Sequence, residues 1–253
     1  MIDVFLGLPD IILVVLGFIF LIFGGESVVQ GAITIARKMN VSPLLIGFTI
    51  VAVGTSLPEL AVTINAVSSN NQDLVDLAVG GVLGSNVANI MLVLGTAAML
   101  GACDKPGVGI KKDALAVIIA SIILLITVII GEITQIIGIL MILALISYYF
   151  YSYNYSKKLG LDEELEETWM GDNLLLATMI TILGGVMIVL GAEFLIEGSV
   201  GIADSFGISE SIVGLSVIAL GTSLPELAVT IIAALRGHKG VAIGNVLGSN
   251  VIN

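Results

Sequence analysis

At 253 residues, 57% hydrophobic and only 11% charged, with 30 glycines and a mean hydropathy of +1.14, the chain reads as an all-α polytopic membrane protein, not a soluble domain. The net charge of −11 could suggest an acidic surface, but five acids fall between Asp162 and Glu167. A solvated loop accounts for them, with a weak regulatory cation site as the alternative. The lone cysteine, Cys103, excludes an intramolecular disulfide or a cysteine zinc site, and the lone histidine, His238, stands in a Gly/Lys loop. Neither nucleic acid nor an obligatory protein partner is indicated; the lipid bilayer is the one partner that the composition demands.

No positively charged stretch precedes the first apolar run, and Asp3 and Asp10 argue against a cleaved signal, so that run is expected to be retained. Apolar runs predict spans near 8–36, 43–68, 75–101, 110–131, 133–155, 173–203 and 210–235, with an eighth starting near Val241. The first and sixth are long enough to tilt or bend, with Gly24-Gly25 and Gly184-Gly185 as flexible points. All nine Lys and Arg residues fall in alternate connections: Arg37 and Lys38; Lys105, Lys111 and Lys112; Lys157 and Lys158; Arg236 and Lys239. The positive-inside rule makes these connections cytoplasmic and puts the N-terminus outside. Trp169 and Tyr148, Tyr149, Tyr151, Tyr153 and Tyr155 flank the acidic loop as an interfacial belt would.

Ten residues, GTSLPELAVT, occur twice, at Gly54–Thr63 and Gly221–Thr230. The same offset of 167 residues pairs Glu26 with Glu193, Gly31 with Gly198, Ser42 with Ser209, Gly47 with Gly214 and Ala52 with Ala219. After a loop three residues shorter, Val82–Asn89 (VLGSNVAN) pairs with Val246–Asn253 (VLGSNVIN). One copy holds five spans, an odd number, so the second enters the membrane inverted, as in many secondary transporters. The expected organisation is a first five-helix repeat at 1–156, an acidic cytoplasmic loop at 157–171 and a second, inverted repeat at 172–253. Ten helices would complete the pattern, and this chain is expected to be a fragment that stops in the eighth and does not transport by itself.

Each copy of the repeat puts a carboxylate, Glu59 or Glu226, where lipid would otherwise be, which makes both acids functional candidates. No basic residue is expected at that depth, so a bound cation or a proton must balance them. The prolines remove a backbone donor and should bend or open the helices near Gly54 and Gly221, freeing carbonyl oxygens. Thr55 and Ser56, and Thr222 and Ser223, share the face of their glutamate. An all-oxygen set of this kind suits calcium or sodium and not a soft metal. A second stripe comprises Gly81, Ser85 and Asn89 in one copy and Asn245, Ser249 and Asn253 in the other; helix packing is the competing account of it. Glu26 and Glu193 are open between packing at an aqueous mouth and a place on the ion path.

The doubled GTSLPE in inverted halves, each followed by a G-S-N element, resembles the calcium/cation antiporter superfamily, specifically the prokaryotic sodium/calcium exchangers, over the whole chain. The resemblance implies ten helices in a prokaryotic plasma membrane and exchange of extracellular sodium for intracellular calcium, with both ions as substrates and no cofactor. It implies a central calcium site at Glu59, Glu226, Thr55 and Thr222. It also implies two flanking sodium sites, one from the Ala219 carbonyl with Ser223 and Ser85, the other from the Ala52 carbonyl with Ser56 and Ser249. Asn89 and Asn253 would line the centre. Some relatives carry Asp in place of Asn253, and Gly81 stands where the second copy has Asn245.

The mechanism expected is alternating access, in which only a cation-neutralised site lets the first and sixth spans slide past the rest. Calcium/proton and potassium-dependent sodium/calcium antiport use the same groups and stay open. A passive cation channel is the alternative from another class. An intramembrane hydrolase lacks a histidine or lysine at depth to activate its serines.

Overall fold

A computed structural model describes residues 8–69, 71–104, 107, 109–130, 134–160, 165, 168–208 and 221–253, and every regular element among them is helical. In order these are α1 (Asp10–Met39), α2 (Pro43–Ile46), a π-helical turn (Gly47–Val51), α3 (Ala52–Thr55), α4 (Leu57–Ser68), α5 (Gln72–Ala88), a second π-helical turn (Asn89–Val93), α6 (Leu94–Met99), α7 (Ile110–Ile130), α8 (Gln135–Leu159), α9 (Leu174–Ser205), α10 (Leu224–Leu235) and α11 (Lys239–Ile252). Four stretches, Asp10–Met39, Leu74–Met99, Gln135–Leu159 and Leu174–Ser205, are long and apolar enough to cross a membrane, and the bent pair Pro43–Thr55 and Leu57–Ser68 makes a fifth if counted as one span. The protein is an integral membrane protein. The expected seventh span is described only from Gly221 on. Ser209, Gly214 and Ala219, Lys105, and the acids of the 162–167 loop lie outside the described residues.

Local sequence sets the ends. Ser42 caps α2 by accepting from the Leu45 N–H at 3.3 Å, just before Pro43, whose missing donor costs nothing at a helix start. Asn173 caps α9 in the same way, accepting from the Leu176 N–H at 3.0 Å. Outward faces of α7 and α8 carry exposed Ile118, Ile122, Leu125, Ile139 and Leu143, which is what a lipid-facing helix presents.

The two longest helices, α1 and α9, pack antiparallel along a glycine seam. A Cβ on Gly17 would lie 2.8 Å from the Gly191 carbonyl oxygen, and one on Gly24 2.8 Å from that of Gly184. Reciprocally, a Cβ on Gly191 would lie 2.9 Å from the Gly17 oxygen and one on Gly184 2.7 Å from the Gly24 oxygen. Only glycine permits backbones this close. The expectation of flexible points at Gly24-Gly25 and Gly184-Gly185 is therefore corrected: both helices run unbroken, and Gly24 and Gly184 are contact points. Arg37 closes one end of the seam, with its guanidinium 2.9 Å from Asp172 and from the Gly171 carbonyl.

A second glycine row puts α11 on the backbone of the other half. Cβ atoms on Gly240, Gly244 and Gly248 would lie 3.0 Å from Leu44 N, 2.8 Å from Phe48 N and 2.6 Å from Ala52 Cβ. That contact brings the polar face of α11 against α3.

Basic residues stay at helix ends, but Lys112 in the first turn of α7 is not simply solvated. Its Nζ lies 2.6 Å from Oδ1 of buried Asp113 and 4.9 Å from the Tyr148 ring centre, and it also contacts Ser152. The Tyr148 hydroxyl donates to Asp113 at 2.7 Å. This tyrosine, expected in the interfacial belt, thus ties α8 to α7.

Candidate ion-binding site

The site forms where two helices break. α3 ends at Thr55, Ser56 adopts φ −87° and ψ 6°, and α4 restarts at Leu57 with Pro58 in its first turn, bending the axis by 45°. Ser223 repeats the geometry at φ −91° and ψ 2°, before Leu224 and Pro225 open α10. The break falls at Ser56, two residues past the expected Gly54, because proline fits the first turn of a new helix but not the interior of an old one. Glu59 and Glu226 consequently sit in the first turns of α4 and α10, at the positive ends of two helix dipoles. The Ala52 carbonyl is not free as expected: it accepts from the Ser56 N–H at 3.0 Å and lies 3.3 Å from the Thr55 hydroxyl.

Around the two acids the side chains are neutral and buried. Glu59 is 5% exposed and Glu226 0%, and Thr55, Ser56, Ser85, Asn89, Ser223, Asn245 and Ser249 are buried with them. Ser85 donates to Glu59 Oε1 at 3.0 Å, and Ser56 donates across the repeats to Glu226 Oε1 at 3.3 Å. Thr55 Oγ1 lies 3.1 Å from Asn245 Oδ1 and 3.3 Å from Ser249 Oγ, and Asn253 Nδ2 donates to Ser85 at 3.3 Å. Glu59 Oε2, Glu226 Oε2, Ser223 Oγ and both polar atoms of the Asn89 amide have no hydrogen-bond partner among the described residues. Buried acceptors left unmet cost about 1–3 kcal/mol each, more when charged, unless a ligand satisfies them.

Neither glutamate has an ion-pair partner among the described residues, and no three His, Cys, Asp or Glu side chains converge there. Two carboxylates among hydroxyls and amides make a hard-cation environment. A crevice of about 20 Å³, room for one water-sized body, lies between α1, α3 and α9 against Gly54, Thr55, Thr181 and Gly185.

The structure thus brings together Thr55, Ser56, Glu59, Ser85, Glu226, Ser249 and Asn253, with Ala52 beside Thr55. Thr222 is only partly buried and makes no hydrogen bond to another described residue; Ala219 lies outside those residues. Glu26 is ion-paired, its Oε2 2.9 Å from Arg236 Nε at the end of α10, and Glu193 is partly buried on α9. Asn245 belongs to the polar stripe but not to the ion-binding set that the resemblance implies, and Thr230 belongs to neither. Yet Asn245 Nδ2 donates to the Glu226 carbonyl at 3.3 Å and to Thr230 Oγ1 at 3.2 Å. The signal was present: Thr230 closes the repeated ten residues, and Asn245 breaks the symmetry with Gly81.

The family model described as sodium/calcium exchanger protein matches residues 10–154 and 176–253. CaxA of Alkalimonas amylolytica is 34% identical over 253 residues, covering 96% of this chain and 76% of its own. The sodium/calcium exchanger MaX1 of Methanosarcina acetivorans is 30% identical over 287 residues, with coverages of 96% and 80%. The solved sodium/calcium exchanger from Methanococcus jannaschii superposes with a TM-score of 0.77 at 31% identity, over 96% of this chain and 77% of that one.

Proposed function

Because this chain belongs to the sodium/calcium exchanger protein family, as one of its prokaryotic type, we propose that it is a secondary cation antiporter exchanging calcium for sodium across the membrane. The observation that carries the reading is the pair of buried glutamates, each with an oxygen that no described residue satisfies. One calcium ion neutralises both carboxylates, held by Glu59, Glu226, Thr55 and Thr222. Sodium ions compete for the same acids from the flanking sets, Ala52 with Ser56 and Ser249, and Ala219 with Ser223 and Ser85. Asn89 and Asn253 offer neutral oxygens between them. Competition for shared carboxylates is what couples the two fluxes.

Alternating access follows from the same charge argument. An empty site leaves two like charges buried, which raises the barrier to sliding α1 and α9 past it. The glycine seam lets these two helices move as one body, and the inverted-repeat reading is supported by its reciprocity, since Gly191 is the copy of Gly24 and Gly184 that of Gly17. The Glu26–Arg236 pair joins that body to the end of α10. In this reading the N-terminus lies outside, which the gathering of Lys and Arg in alternate connections supports.

Calcium-45 uptake into sodium-loaded proteoliposomes, with and without an outward sodium gradient, tests the proposal. Uptake should require the gradient and vanish in Glu59→Gln and Glu226→Gln. Uptake driven equally by a proton gradient moves the protein to proton-coupled exchange. Flux that needs no counter-ion identifies a channel and refutes antiport.

A further inference from the structure

Asn245 stands at the junction of the two repeats without being one of the proposed ligands. It lies on α11, fully buried, and reaches three groups: Thr55 on α3, and the Glu226 backbone and Thr230 on α10. The Glu226 carbonyl can only accept, so it fixes which end of the carboxamide is nitrogen. Oδ1 must then face Thr55, at 3.1 Å. A hydroxyl that ligates a cation has to turn its proton away from the ion. For Thr55 the candidate acceptors are Asn245 Oδ1, the Ser249 hydroxyl at 3.3 Å, the Ala52 carbonyl at 3.3 Å and the Glu226 carboxylate, which a bound cation itself engages.

We propose that Asn245 is a positioning residue of the ion site: its amide takes the Thr55 proton, so that the Thr55 oxygen faces the cation and the Ala52 carbonyl is relieved of that proton. Without it, Thr55 turns to its own helix and occupies the Ala52 oxygen. One residue thus prepares two proposed ligand atoms. The arrangement has no counterpart in the first repeat, where Gly81 stands at the equivalent position and supplies no amide to Thr222. The two ends of the site are therefore inequivalent, with the Thr55 end the more preorganised.

This inference rests on the ion-exchange reading of the same site, and direct binding separates the two. Calcium-45 binding to the purified protein is measured for the parent, Asn245→Ala, Thr55→Val and the double variant, beside sodium-driven uptake. Asn245→Ala should raise the calcium Kd by about tenfold, the worth of one hydrogen bond, with the calcium concentration for half-maximal uptake rising alongside it. Combined with Thr55→Val it should add nothing further, because it acts through that hydroxyl. A merely structural role would lower the melting temperature and leave Kd untouched, and that result overturns the proposal, as does full additivity in the double variant. If Asn245→Ala yields no folded protein, Thr230→Val reads the same chain of contacts: about threefold weaker calcium is expected, and an unchanged Kd overturns it. A parent that binds calcium yet shows no exchange refutes the transport reading alone.

Discussion

Replacing Glu226 by Gln should separate stability from ion binding. The carboxylate is 0% exposed, accepts from Ser56 at 3.3 Å with the Thr55 hydroxyl also near, and has a second oxygen without a hydrogen-bond partner among the described residues. A group so poorly met contributes little to the ion-free fold. Glutamine keeps the shape and the acceptor for Ser56 while removing a buried charge. In calcium-free buffer the variant should melt no lower than the parent. Calcium at a hundredfold above Kd stabilises the parent by about 2.7 kcal/mol. At about 2–4 °C per kcal/mol for a chain of this size, the parent's midpoint rises by about 5–11 °C. The Gln variant loses that rise altogether. Thermal unfolding of detergent-purified protein, with calcium and with chelator, reads both quantities. A calcium-dependent rise that persists in the variant, or a variant that loses more than about 3 kcal/mol without calcium, would refute the reasoning, the latter because it would mark a structural carboxylate.

Gly24→Val places a side chain where even a Cβ meets the Gly184 carbonyl at 2.8 Å, and should cost about 1–3 kcal/mol in a thermal melt. Gly185→Ala, one residue from the seam with no described atom within 4 Å, should be neutral or gain up to about 1 kcal/mol from helix propensity. Exposed Cys103, in the turn after α6, tests orientation: an impermeant maleimide should label inside-out vesicles and not right-side-out ones. Burial, with the Asp104 charge adding, pushes this thiol above its ordinary value. Since the thiolate is the reactive form, labelling should quicken steadily with pH through the alkaline range.

Much of this was legible in the chain because bilayer physics writes itself into composition. Runs of about twenty apolar residues have few other uses, and an acid repeated within them, as at Glu59 and Glu226, asks for a partner. What could not be read was the role of small residues. Gly24 and Gly184 look alike whether they bend a helix or admit a neighbour, and only the opposing backbone decides. The break at Ser56 depends on which turn accommodates Pro58, a matter of one or two residues. The π-helical turns at Gly47–Val51 and Asn89–Val93 leave no composition mark. Asp113 was invisible as a buried group because its partners, Lys112 and Tyr148, are brought to it by the pairing of α7 with α8.

The seam between α1 and α9 is symmetric in the sequence copies that build it. Gly17 meets the copy of Gly24, and Gly24 meets the copy of Gly17; likewise Gly31 faces Ala177 while Gly198 faces Asp10, the residue that Ala177 duplicates. Each of these glycine contacts has its mirror under exchange of the two sequence copies, as in an isologous interface. A surface of that kind uses one set of glycines twice, once from each helix. Where the two copies of the sequence differ, as at Asn245 opposite Gly81, that exchange symmetry is broken, and the two sides of the site are free to act differently.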